Sequence, residues 1–248
     1  MCTQPIPEAK RAASRRLPDV PGLLIEVVGR PKAYWLFLAI AHDAKLSDVD
    51  ALLRATWLEC CDHLSEFAIG STRHTSQPEP PPIFSSRPRA QSMHIEVGKL
   101  RLATGTAFEH RYDFGSTTVS DLSLVGPLPF AVPSKSAIVL AHNEAPGFAC
   151  TACEAPAAWV CLECDGPDEE GFLCAACAES HECDEYLQRP IVNSPRMGIC
   201  GYAGPGAGVD SIQAFLLHLP QASSGRPGIA AAATSGAWLT RAHTRILL

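Results

Sequence analysis

Cys150, Cys153, Cys161, Cys164, Cys174, Cys177, His181 and Cys183 follow one another in a series of three Cys-x-x-Cys pairs closed by a His-x-Cys. A Cys-x-x-Cys knuckle delivers two thiolates from one tight turn, so eight such donors amount to two tetrahedral zinc sites. One isolated pair would read as a redox dithiol. Three in succession read as metal ligands. Sites filled entirely by protein sulfur and imidazole leave no position for water or substrate, and the series therefore predicts two structural Zn2+ ions. Two pairings fit the order. In a cross-brace, Cys150, Cys153, Cys174 and Cys177 hold one ion while Cys161, Cys164, His181 and Cys183 hold the other; sequential pairing is the alternative.

The segment has few large apolar residues beyond Trp159, Leu162, Phe172 and Leu173. Too little apolar surface is present to offset the entropy of ordering the chain, so zinc must supply the folding energy, on the order of 10 kcal/mol apparent per site. Its charge is one-sided. No Lys or Arg occurs between 136 and 188, whereas Glu154, Glu163, Asp165, Asp168, Glu169, Glu170, Glu179, Glu182, Asp184 and Glu185 are acidic. Phosphate backbones would be repelled, which points to a protein-binding or purely structural module.

The whole chain of 248 residues carries a net charge of −6, which disfavours bulk attraction to nucleic acid or anionic lipid. Its length and 46% apolar content allow one ordinary core plus a small module. No apolar run reaches the roughly 18 to 20 residues that span a bilayer, and residues 1–20 lack the apolar stretch of a signal peptide. A cytoplasmic protein is expected, with no membrane partner. A reducing compartment also suits thiolate ligands better than disulfides.

Residues 1–20 hold Lys10, Arg11, Arg15 and Arg16 without periodicity and read as a mobile basic tail. The runs 23–29 and 34–40 are short, apolar and bounded by Gly or Pro, as buried strands are. Ser47 with Asp50 three residues on resembles a helix-capping pair. Val49, Leu52, Leu53 and Trp57 then recur at helical spacing, predicting one helix of about 10 residues lying on the sheet. His63, Leu64, Phe67 and Ile69 mark the next strand. Residues 75–91, rich in Pro and Ser, read as an inserted loop. Phe108, His110, Tyr112 and Phe114 alternate with charged residues, the period of a half-buried strand, and Gly115 and Ser116 turn it into a hairpin with the following run. The expected fold class is α+β, a small antiparallel sheet with one main packed helix plus a cysteine-rich two-zinc module. The sheet domain is expected over 21–145, the zinc module and a return segment packed on the core over 146–204, and a mostly disordered low-complexity tail over 205–248.

Two resemblances rest on these residues. The cysteine and histidine order resembles a B-box-like double zinc finger, with Cys183 where that class usually has a second His and a longer gap before Cys174. The strand YWLFLAI, the block LSDVDALLRATW followed by His63 and Leu64, the tetrad Tyr112 to Gly115 with STT after it, and VNSPRMGICGY resemble the family named after the third open reading frame of a root-inducing plasmid. Its members are also called insertion-sequence passenger (TnpR-like) proteins. The resemblance covers residues 22–204 and implies a compact α+β domain with zinc in this subclass, but no chemistry. The Pro-rich insertion, Cys60 and Cys61 before Asp62, and the tail depart from the pattern.

No catalytic residue is assigned. His42, Asp43, His63, His110 and Asp113 are the candidates for an acid–base site, yet each has a structural role open to it. Asp113-Phe114-Gly115 is similar to the metal-binding element of protein kinases, but no phosphate loop, strand lysine or catalytic loop accompanies it. GPGAG at 204–208 lacks the Lys-Ser/Thr of a phosphate-binding loop. Cys200 reads as a buried small hydrophobe. The leading functional reading is a non-enzymatic zinc-binding protein that binds a protein partner. The alternatives are a mobile-element protein touching nucleic acid through the basic N-terminal arm, and an unrecognised enzyme.

Overall fold

The β-branched and aliphatic runs near the start of the chain form adjacent strands in the computed structural model, which describes residues 18–30, 32–78, 89–164 and 171–205. The basic arm at Lys10 to Arg16, the centre of the Pro-rich loop, the acidic stretch 165–170 and the tail beyond 205 lie outside the described residues. In chain order the elements are β1 (Asp19–Val20), β2 (Gly22–Gly29), β3 (Trp35–Ala41), helix α1 (Leu46–Leu53), β4 (Ser65–Ile69), β5 (Thr72–Thr75), β6 (Gln91–Ser92), β7 (Ala107–Tyr112), β8 (Thr118–Pro127), β9 (Val132–Pro133) and β10 (Ala137–His142). The cysteine module adds β11 (Trp159–Cys161), β12 (Phe172–Leu173), helix α2 (Ala175–Glu179) and β13 (Gln188–Pro190).

The main sheet is larger than the small one expected. Eight strands run in the order β10-β3-β2-β8-β7-β4-β5-β6, and all neighbours are antiparallel except β5 and β6. β6 begins at Gln91, the last residue of the expected loop, and its parallel pairing makes the sheet mixed at that edge. β1 falls in the expected tail, where it pairs with β9. Along β8, Thr118, Ser120, Leu122 and Leu124 are buried while Val119, Asp121 and Ser123 are partly exposed, the alternation of a strand with one covered face. Tyr112 pairs with Thr118, so β7 and β8 form the expected hairpin around Gly115. Phe114, however, lies beyond the last paired residue and is 52% exposed, so it does not share the buried face of Phe108, His110 and Tyr112.

α1 continues through a wider π-helical turn, Arg54–Leu58. Leu46, Val49, Leu53, Trp57 and Leu58 are buried. Its start lies two residues earlier than the Ser47 pattern implied. The Asp48 carboxylate accepts from the Lys45 N–H at 2.8 Å, and the N–H groups of Leu46 and Ser47 donate to the carbonyls of Ile95 and Met93, each at 3.0 Å. A neighbouring chain segment therefore satisfies donors that a side-chain cap would otherwise take. One polar bond also crosses the core: His110 Nε2 lies 2.7 Å from Asp50 Oδ1, both side chains buried.

The segment after β13 returns to the sheet domain. Ser194 Oγ donates to the Trp57 carbonyl at 2.6 Å, and Tyr202 is buried. A Cβ on Gly29 would come within 2.8 Å of Pro195, so glycine at the end of β2 is what lets this segment lie so close. Among the described residues, no helix is long and apolar enough to cross a membrane.

Candidate metal centres

The cysteine module gathers its candidate ligands through short strands and tight turns. β11 is the centre of a three-stranded sheet in the order β12-β11-β13, antiparallel throughout. The Cys150 N–H donates to the Ala155 carbonyl at 2.7 Å and the Glu154 N–H to the Cys150 carbonyl at 2.8 Å, closing the first knuckle. Glu154 adopts φ 62°, the left-handed conformation that lets the chain turn there. Cys174 caps α2, its Sγ accepting from the Cys177 N–H at 3.4 Å. These turns bring the eight sequence-predicted ligands into two groups, Cys150, Cys153, Cys174 and Cys177 in one and Cys161, Cys164, His181 and Cys183 in the other. Within each group all four donor atoms lie within 4.8 Å of one another. The grouping is that of a cross-brace, not of sequential pairs.

Donor spacing tests whether a metal fits. A zinc–sulfur bond of about 2.3 Å in a tetrahedron places neighbouring sulfurs about 3.8 Å apart, and a shorter bond to nitrogen draws a sulfur–nitrogen edge in slightly. Cys153 Sγ is 3.6 Å from both Cys174 Sγ and Cys177 Sγ, Cys164 Sγ is 3.6 Å from Cys183 Sγ, and Cys164 Sγ is 3.5 Å from His181 Nε2. These separations and soft donors are compatible with zinc. The apolar alternative is thin: the buried cluster is Cys161, Leu173 and Ala178, and packed on it are Cys164, Cys177, Cys183 and Leu187. Four of those seven side chains are candidate metal donors, and the module's other buried apolar side chains are Val160 and Phe172, the latter stacked on Phe148 at 4.3 Å.

The thiols cannot all ionise unaided. Backbone N–H groups, that of Cys174 first, draw the Cys150 thiol down to about 6, whereas the adjoining Cys174, Cys153 and Cys150 sulfurs push Cys177 up to about 12. The second group divides likewise. Burial opposes ionisation of Cys161, but N–H groups of Cys164 and Glu163 outweigh it and bring the thiol to about 7, while Cys164 pushes Cys183 up to about 12. Cys174 is drawn down as well, by the Cys177 N–H first, and in each set the thiolates that form readily suppress the others. A dication at the centre would remove that conflict.

The proposed acid–base residues do not assemble. Asp43 accepts from Ser134 Oγ at 2.5 Å and from the Lys135 N–H at 2.8 Å; His110 is bound to Asp50; His42 is exposed. Only His63 and Asp113 are neighbours, Nε2 to Oδ2 at 3.7 Å, and Asp113 is committed to Arg196 at 2.8 Å. Cys200 is exposed rather than buried as expected, with its sulfur 3.7 Å from both Cys61 Sγ and His63 Nε2. Its tight Gly-rich surroundings in GICGY were the available sign that it sits on a surface turn, but nothing local pointed to its partners 137 and 139 residues away. Arg196, wholly buried, was also not singled out.

Fold and centres define a mixed-sheet domain joined to a cross-braced cysteine module. The chain matches no protein-family model and no curated protein sequence. Among solved structures it is similar to a protein of unknown function from Methanosarcina mazei Go1, at 14% identity and a TM-score of 0.39, over 49% of this chain and 69% of that one.

Proposed function

We propose that this chain is a zinc-binding, non-enzymatic interaction protein whose cross-braced module binds a protein partner. The observation that carries the reading is the convergence of eight donors into two closed sets of four, since closed tetrahedra build structure and leave no coordination site for substrate. What supports the interaction role is the module's surface. Tyr186 is 69% exposed and Trp159 37%, on a module whose sequence from 150 to 188 contains acidic residues and no Lys or Arg. Exposed aromatic side chains are the usual anchors of protein interfaces, and the acidic surround favours a partner with a basic face.

The test is a comparison of proteins captured by the wild-type chain and by Trp159→Ala/Tyr186→Ala, with zinc content measured on both. A partner lost by the variant at unchanged metal content is the expected result; an identical captured set would overturn the interaction role. The nucleic-acid alternative rests on Lys10, Arg11, Arg15 and Arg16, outside the described residues. A salt titration on DNA belongs in the same experiment, because phosphate contacts impose a steep loss of affinity with salt.

A further inference from the structure

A second place in the molecule has the donor geometry of the module without belonging to it. The loop between α1 and β4 carries Cys60, Cys61 and His63, and the return segment carries Cys200. Their four donor atoms all lie within 4.8 Å of one another. Cys61 Sγ and Cys200 Sγ are 3.7 Å apart, and so are Cys200 Sγ and His63 Nε2. That is the edge of a tetrahedron around a metal bonded to sulfur at about 2.3 Å, and it matches the 3.5 to 3.6 Å edges within the module.

The surroundings fit the charge such a site would carry. Three thiolates and a neutral imidazole around a dication leave one net negative charge. Arg196 Nη2 donates to Cys60 Sγ at 3.4 Å, so a fixed buried cation already faces one of the sulfurs. The backbone is also bent to bring the donors in: Asp62 adopts φ 56° between Cys61 and His63, and Cys200 itself adopts φ 54°. Neither is glycine, and both stand in the left-handed region that side chains disfavour. Cys61 and Cys200 are exposed, which gives an ion direct access from solvent.

We propose that Cys60, Cys61, His63 and Cys200 form a third zinc site, separate from the cross-braced module, that fastens the return segment to the sheet domain. Soft sulfur donors with one imidazole in four-coordination select Zn2+ among the abundant divalent ions. The ion would bridge residues 139 apart in the chain. The site shares no ligand with the module, so it stands or falls independently of the proposed function.

The experiment is native mass spectrometry of the full chain, purified reduced and supplied with Zn2+, for wild type, Cys200→Ser and Cys153→Ser. Three ions in wild type and two in each variant are expected. Two ions in both wild type and Cys200→Ser, with one in Cys153→Ser, would overturn the third site and leave the module intact. One ion in wild type, lost in Cys200→Ser and retained in Cys153→Ser, would support the third site and sink the module reading. His63→Cys guards against a serine variant that fails to fold: it retains three ions, and its Co2+ form gains sulfur-to-metal absorption over wild type. A wild-type mass lower by two hydrogens in reduced, zinc-supplied protein, with only two ions bound, would mean that Cys61 and Cys200 form a disulfide instead, and would overturn the proposal.

Discussion

Asp43 shows how a residue first weighed for catalysis serves the fold. The Ser134 hydroxyl, and next the Lys135 N–H, hold its carboxyl below the ordinary aspartate range against the opposing effect of desolvation. Between that lowered value and the ordinary one of about 4, the unfolded chain binds more protons than the folded one. The carboxylate's contribution is therefore complete above the ordinary value and is lost as pH falls through the folded one. Asp43→Asn is expected to be less stable than wild type at neutral pH and to lose less stability below about pH 4. Urea midpoints from pH 3 to 7 check this, and parallel profiles would show that the carboxylate does not bear the acid sensitivity. The donor residues at 150–183 could be read from spacing alone because each Cys-x-x-Cys carries its geometry locally. His63, Asp113 and Cys200 could not, since their relations depend on how distant loops meet.

At the scale of elements, the proposed zinc ions would bear most on the folding of the cysteine module. Four of the seven residues in the cluster around Cys161, Leu173 and Ala178 are candidate metal donors, so chelation of the proposed ions should disrupt that cluster. The expected outcome is loss of amide protection in β11, β12 and β13, with β2, β3 and β8 still protected. Hydrogen exchange with and without chelator, under reducing conditions, measures both at once. Unchanged protection in β11 would show that the module folds without metal. The strongest strands, β2, β3 and β7, were legible because their apolar patterns are long or alternate cleanly. β10 was not read, since it is an edge strand with only Val139 buried, and β1, β6 and β9 are two-residue pairings with no period of their own. The cap at Lys45 escaped because its neighbouring donors bond to Met93 and Ile95, a tertiary contact that no local pattern encodes.

For the molecule as a whole, Arg196 is the principal polar tie between the return segment and the sheet. It donates to Asp113 at 2.8 Å, to Thr118 Oγ1 at 2.9 Å and to the Ser116 carbonyl at 3.1 Å, and its guanidinium lies 4.9 Å from the Tyr112 ring centroid. Replacing it with Met leaves Asp113 buried without its cation, a loss of roughly 3 to 5 kcal/mol. Adding Asp113→Asn to Arg196→Met is expected to recover part of that loss in urea denaturation. An Arg196→Met chain as stable as wild type would mean that the pair contributes nothing to holding the return segment.

The two strands of chain that lead to and from the module are clasped where they pass. Asn143 Nδ2 donates to Asn193 Oδ1 at 2.8 Å, and Asn193 Nδ2 donates back to the Asn143 carbonyl at 2.9 Å, across 50 residues of sequence. Everything between these asparagines is thus a closed loop hung from a fixed gate. The entropy of closing a loop rises only about 0.6 kcal/mol for each doubling of its length. Lengthening the enclosed chain is therefore expected to weaken the clasp only slightly.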